Sequence, residues 1–258
     1  MTVHAFVLHL VRATARRENA QGLLQDTKNI GGFDGEIWPA VDGSALSDMD
    51  LEGALGVELF EPSYPFTLKT GEIGCFLSHR QIWAEMQTRD ADAALIIEDD
   101  ADVDARVFSA ALKMARQHID TLGYIQFQTR PPKGNAHLID TIGEARLVVP
   151  QEAGLRTTAQ MVSKTAARHL LDRSVAFDRP VDTFVQSHWH TGLRPAMIYP
   201  SGIQDIADTL DGSTIQSGKK PLMEKLGREL SRSRYRSAVA RLSRQSIAPS
   251  EGGFKDGA

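Results

Sequence analysis

Three carboxylates stand in a row, Glu98-Asp99-Asp100, directly after the apolar run Ala94-Leu95-Ile96-Ile97. Negative charge packed this densely calls for a cation. Oxygen donors suit Mg²⁺ or Mn²⁺, which usually bind through one or two carboxylates together with phosphate oxygens. The chemistry that follows is a metal bridging the protein to a diphosphate and stabilising it as a leaving group. The same residues have a plainer use: Asp102 and Asp104 carry the acidic run toward a helix that it would cap. Arg12, Arg16 and Arg17 follow the apolar residues 3–10. Beside a strand end and a helix start they suit a phosphate; on a solvated helix face they have no such use. His79 sits amid apolar residues, as a hydrogen-bonded core histidine would. His188 and His190 flank Trp189, a spacing that puts both on one side only in an extended segment. Two such histidines do not make a metal site alone, although one of them could reach an active site.

These groups need elements to hold them. Residues 3–10 (VHAFVLHL) read as a buried strand and 14–26 as a helix with a basic first half. Residues 36–41 form a second strand ending at the Asp42-Gly43 turn. Residues 44–69 show no period and lie among Pro39, Pro62 and Pro65, which reads as an irregular insertion. Residues 71–88 give the clearest helix. At about 100° per residue, Cys75, His79, Ile82 and Met86 share a line with Phe76 and Trp83 beside it, so this helix is mostly buried. A buried strand at 93–97 then runs into the carboxylates. A helix at 107–118, a strand at 124–128, a hairpin at 138–149 around Gly143-Glu144, a strand at 158–162, a helix at 164–172 and a strand at 197–199 follow. This alternation predicts an α/β fold with a largely parallel sheet. The acidic run then falls at the carboxyl edge of a strand, where such sheets bind ligands.

The 258 residues, 41% apolar and 24% charged, exclude wholesale disorder. A single cysteine, Cys75, permits no intrachain disulfide and fits a reducing compartment. The N-terminal residues read as no signal peptide, and no stretch approaches the ~20 apolar residues of a membrane span. GxGxxG after the first strand, a Walker loop, HExxH, CxxC and GxSxG are all absent, which weakens the dehydrogenase, ATPase, zinc-protease and serine-hydrolase readings. The net charge of −4 predicts no nucleic-acid partner. Its distribution is uneven: residues 219–244 carry +7, leaving −11 on the rest. Residues 208–218 read as a linker and 219–244 as a basic helix with leucines every fourth residue. Such a helix suits an anionic membrane surface. The last fourteen residues read as disordered.

Taken together these segments resemble glycosyltransferase family 25, the lipopolysaccharide β-1,4-galactosyltransferases and their relatives. The resemblance is carried by VLHLVRATARRENAQGLL, by PAVDG at 39–43, and above all by GEIGCFLSHRQIW at 71–83 followed by ALIIEDDAD at 94–102. TTAQMVSKTAARHLL at 157–171 and PVDTFVQSHWHTGLRP at 180–195 add to it. His9 stands where the family commonly has Asn, and Ala13 follows Arg12 where the family usually reads RS.

The resemblance implies a GT-A-like nucleotide-sugar-binding fold over residues 1–215, with 216–258 forming the basic C-terminal helix and its end. It implies an inverting, metal-assisted transfer of a sugar, galactose above others, from a UDP-sugar to lipopolysaccharide or another glycan or lipid-linked glycan. Asp100 and Glu98 would hold Mn²⁺ or Mg²⁺. His9, Arg12, Ser78, His79 and Glu98 would line the donor site. Asp182 would be the general base, with Asp99 competing for that role. The expected location is cytoplasmic, peripheral on the inner membrane face through 219–244. Two other readings stay open. One is a metal-dependent nucleotide-hydrolysing or phosphoryl-transfer enzyme; the other is a catalytically silent relative that binds a partner.

Overall fold

A computed structural model describes residues 1–209 and 222–246. The chain runs through β1 (Val3–His9), α1 (Arg17–Gly31), β2 (Asp34–Pro39), α2 (Asp48–Ala54), α3 (Thr70–Thr88), β3 (Ala93–Glu98), β4 (Ala101–Val103) and α4 (Ala105–Leu122). It continues with β5 (Tyr124–Phe127), β6 (Ala136–Ile142), β7 (Ala145–Pro150), β8 (Ala159–Ser163), α5 (Lys164–Arg173), α6 (Val181–Gln186) and α7 (His188–Thr191). β9 (Ala196–Tyr199), β10 (Ile203–Asp205) and α8 (Leu222–Gln245) complete the described elements.

Among the described residues eight strands form one sheet, in the order β2-β1-β3-β8-β5-β9-β7-β6. β8 and β7 run against the other six. This is the mixed α/β architecture with a mostly parallel central sheet that the alternating pattern predicts. Helices cover both faces, which is why β3 is apolar at every position from Ala93 to Ile97 and fully buried there. Side chains alternate across the strands. On one face Ala5 and Val7 of β1, with Leu95 and Ile97 of β3, pack on Phe108, Leu112 and Ile119 of α4 and Leu23 of α1. Phe6, Leu8, Ala94 and Ile96 pack on the other face against Phe76, Trp83 and Met86 of α3 and Leu170 of α5. The same alternation carries His9 and Asp99 out on the α1 side and Glu98 on the α3 side, so the strand ends split the polar residues between two faces.

Several local signals explain the boundaries. α1 stops at Gly32, whose φ of +67° is the left-handed conformation glycine adopts without strain. A 3₁₀ turn at Thr14–Arg16 precedes α1, so the expected helix from residue 14 begins at Arg17. α4 starts at Asp104, whose Oδ1 accepts the N–H groups of Arg106 and Val107 at 3.0 and 3.2 Å; the capping use of the acidic run is thus real for Asp104. Residues 44–69 are not wholly irregular. α2 forms there because Ser47 and Asp50 build a reciprocal capping box. The exit of β2 crosses α3 closely: a Cβ on Gly74 would lie 2.5 Å from the Val41 carbonyl oxygen.

α8 lies within the basic C-terminal segment, and part of it faces the body. Val239 and Ser243 of α8 are buried. Arg179, itself fully buried, donates to the Tyr235 hydroxyl at 3.3 Å. Arg194 donates to the Ser243 carbonyl at 3.1 Å and Ser246 Oγ lies 2.7 Å from His188 Nδ1. Arg234, Arg236, Arg241 and Arg244 remain exposed on the outer side. The linker expected at 208–218 and the disordered end expected from 245 lie mostly outside the described residues.

Candidate active site

The carboxylates at the end of β3 turn in different directions. Asp99 is buried and accepts from two basic side chains. His9 Nδ1 lies 2.7 Å from Asp99 Oδ2, and Arg16 Nη1 donates to Asp99 Oδ1 at 3.1 Å. Arg16 also donates to Asp100 Oδ2 at 3.0 Å. The 3₁₀ turn before α1 points the Arg16 guanidinium inward. One turn later Asn19 donates to the carbonyls of Asp99 and Ala101 at 2.8 Å each, locking the acidic turn onto α1. Asp100 keeps a side-chain exposure of 20%. Burial pushes its carboxyl up to about 7; the carboxylates of Glu98, Asp99 and Asp205 add to the rise, and Arg16 opposes it.

Glu98 faces α3. Its Oε1 accepts from the Thr157 hydroxyl at 2.6 Å, with His79 Nε2 at 3.6 Å and Cys75 Sγ at 3.8 Å. Burial works against its charge, but His79, Thr157 and Cys75 outweigh that, and the carboxyl stays below its ordinary value. Thr157 is there because β8 runs antiparallel to β3, with Glu98 N–H donating to the Thr158 carbonyl at 2.9 Å.

Asp182 opens α6 facing the same region. Its Oδ2 accepts the Arg156 N–H at 3.0 Å, and its Oδ1 accepts the Thr183 N–H at 2.6 Å and the Thr183 hydroxyl at 3.1 Å. Arg156 has a φ of +83°, a strained conformation for a non-glycine residue. That backbone directs its N–H to Asp182, while its guanidinium pairs with Asp205. The remaining expected donor residues are less central. Ser78 is buried, and its hydroxyl both accepts the Val41 N–H at 2.8 Å and donates to the Gly74 carbonyl at 2.7 Å. Arg12 is largely exposed and pairs with Asp42 at 2.6 Å. His9 reaches the acidic turn through Asp99.

A hard divalent cation suits the donors at this edge. Glu98, Asp99 and Asp205 are carboxylates near enough to raise the cost of ionisation at Asp100, and Asp100 and Glu98 are more open than Asp99.

A family model, glycosyltransferase family 25 (LPS biosynthesis protein), matches residues 2–185. The chain belongs to glycosyltransferase family 25. This family 25 chain is 32% identical over 126 residues to a glycosyltransferase 25 family member of Drosophila pseudoobscura pseudoobscura, a match covering 47% of the chain and 19% of the relative. It is 37% identical over 99 residues to procollagen galactosyltransferase 1 of Danio rerio, covering 37% and 16%. It is also 39% identical over 100 residues to the inactive glycosyltransferase 25 family member 3 of Homo sapiens, covering 37% and 16%. The matched segments thus span less than a fifth of these relatives. A crystal structure of a glycosyltransferase involved in the glycosylation of the major capsid of PBCV-1 overlaps with a TM-score of 0.33 and 13% identity, over 73% of this chain and 66% of that one. The assignment rests on the family match.

In this family 25 chain Arg156 and Asp205 come from separate segments with no local pattern, and Asn19 and Thr157 lie inside the segments of resemblance without any spacing that marks them as site neighbours. Arg16 is one of three equivalent arginines in the sequence, and only the 3₁₀ turn selects it. Among the described residues no helix is long and apolar enough to cross a membrane.

Proposed function

We propose that this chain transfers a sugar from a UDP-sugar to a hydroxyl of a glycan acceptor, with inversion at the anomeric carbon. The observation that carries the reading is the acidic edge of β3, where Asp100 is crowded by Glu98, Asp99 and Asp205 beside the buried cation of Arg16. Such an edge, in the GT-A-like fold that the family resemblance implies, suits the diphosphate end of a nucleotide-sugar. A divalent cation bound by Asp100 and Glu98 would neutralise charge on the departing diphosphate.

The chain's own groups supply the remaining steps. Asp182, held by three donors, takes the proton of the acceptor hydroxyl. The acceptor oxygen forms its bond to the anomeric carbon as the bond from that carbon to the diphosphate oxygen breaks, and UDP leaves with the electron pair. Arg156 stands between Asp182 and Asp205, where a guanidinium can meet a phosphate oxygen. Arg16 and His9 hold Asp99 and so fix the turn that presents Asp100. Asp99, already committed to both, is the weaker candidate for the base. The exposed arginines of α8 suit an anionic membrane face on which a lipid-linked acceptor would lie. Galactose as the sugar and lipopolysaccharide or another envelope glycan as the acceptor follow from the family resemblance.

A panel of UDP-sugars tested for thermal stabilisation with and without Mn²⁺, followed by product analysis with glycan acceptors, tests the reading. A donor at ~100 times its dissociation constant raises stability by about 2.7 kcal/mol. Stabilisation by one UDP-sugar, dependent on the metal and followed by transfer, is the expected result. Nucleotide hydrolysis indifferent to the sugar favours the hydrolase instead, and no binding of any donor favours a silent relative.

A further inference from the structure

Behind the strand end, on the α3 side, three donor atoms of different chemistry face one another. The Cys75 sulfur, a ring nitrogen of His79 and a carboxylate oxygen of Glu98 all lie within 4.8 Å of one another. The sulfur is 3.8 Å and the imidazole nitrogen 3.6 Å from the carboxylate oxygen. Ligand atoms around a tetrahedral zinc ion, with bonds of ~2.0–2.3 Å, are separated by about 3.3–3.6 Å. The two contacts to the carboxylate therefore need to close by only a few tenths of an ångström. Cys75 and His79 are four residues apart on α3 and so share one face, as helical metal ligands commonly do. Glu98 is anchored from outside by the Thr157 hydroxyl at 2.6 Å, the kind of support that orients a ligating carboxylate.

A second observation is independent of the spacing. His79 is fully buried, and its Nε2 falls just short of a hydrogen bond, with Glu98 Oε1 at 3.6 Å. That nitrogen is the one aimed at Glu98 and Cys75. Two more buried polar atoms make no hydrogen bond nearby: Gln160 Oε1, on the residue beside His79, and the Tyr124 hydroxyl, which feels the charges of Glu98 and Cys75. Gln160 Nε2 lies 3.4 Å from His79 Nδ1. With the Gln160 amide turned about its terminal bond, Oε1 accepts the Nδ1 proton. His79 then holds the tautomer whose Nε2 lone pair points into the trio.

We propose that Cys75, His79 and Glu98 form a site for one divalent transition-metal ion of the zinc class. Its sulfur and nitrogen donors distinguish it from the all-oxygen edge at Asp100, and Glu98 is common to both. Binding forms the bond to Cys75 Sγ as a thiolate and releases the thiol proton to solvent, one proton per ion. The ion ties α3 to the end of β3 and fixes Glu98 Oε1, leaving Oε2 outside the trio.

Cobalt(II) is the probe. The full chain, stripped with chelator and titrated with Co²⁺, should take up one equivalent that gives thiolate-to-cobalt charge-transfer absorption in the near ultraviolet and is displaced by Zn²⁺. Cys75→Ser should abolish that absorption, and His79→Gln should weaken Co²⁺ binding about 10-fold or more. Asp100→Asn should leave the absorption intact. Absence of the charge-transfer absorption in the unaltered protein overturns the proposal whether or not any variant folds. So does its persistence in Cys75→Ser or its loss in Asp100→Asn. None of these readouts involves sugar transfer, so they stand apart from the test of the proposed activity.

Discussion

Replacing Arg16 by methionine leaves Asp99 and Asp100 without the guanidinium that both accept from, at 3.1 and 3.0 Å. The side chains involved are 7%, 9% and 20% exposed, so water replaces little of the lost partner. Removing one member of a buried pair costs about 3–5 kcal/mol. For a domain of this size each kcal/mol lowers the melting temperature by about 2–4 °C, so the variant should lose roughly 6–20 °C. The pH dependence has a definite sign. The Asp100 carboxyl sits at about 7 in the folded chain, above its ordinary value, so folding favours the protonated form and this group costs stability as the pH rises toward 7. Loss of Arg16 moves that carboxyl further up. The penalty of Arg16→Met should therefore be full at pH 8 and clearly smaller at pH 5.5, where Asp100 carries its proton. Thermal unfolding in chelator at both values is the assay, and Mn²⁺ at pH 8 should recover part of the loss. A loss below about 2 °C, or an equal loss at both pH values, would refute the placement of Arg16 as the counter-cation of the acidic turn.

Asp100→Asn removes the carboxyl that burial disfavours; in chelator at pH 8 it should raise stability by about 1–2 kcal/mol, measured by chemical denaturation, while metal-dependent transfer is lost. Asp182→Asn should cut kcat by about 10²–10⁴-fold with little change in donor affinity; an equal loss of donor binding would move Asp182 into the nucleotide pocket. Replacing Arg234, Arg236, Arg241 and Arg244 together by glutamine should leave the melting temperature nearly unchanged and abolish sedimentation with anionic vesicles at low salt, and unaltered sedimentation would remove the membrane role.

The strand before the acidic turn was legible because burial on both faces writes an unbroken apolar run, and α3 because its apolar arc is wide. His79 was legible as a buried histidine, since the arc fixes its side of the helix. Its neighbours Gln160 and Tyr124 were not, because strands that meet only through the sheet order leave no local trace of meeting. α2 was missed for want of period, although Ser47 and Asp50 carry the capping spacing. Among the acidic residues the sequence could not divide labour: Asp104 caps α4, whereas Asp99 and Asp100, a few residues earlier, turn inward to an arginine more than eighty residues away.

The attachment of α8 has a bearing on how the chain could be divided. The helix is held by side chains from well-separated segments: Arg194 and Gln151 on the Ser243 carbonyl, Arg179 and Tyr64 on Tyr235, and His188 on Ser246. None of these depends on the residues that join the helix to the body. A gene split between residues 210 and 221 would encode two polypeptides whose mating surfaces are already complementary. The shorter should find and occupy its cradle on the longer without a covalent tether, making the protein a two-part system whose assembly could be controlled by when the second part is supplied.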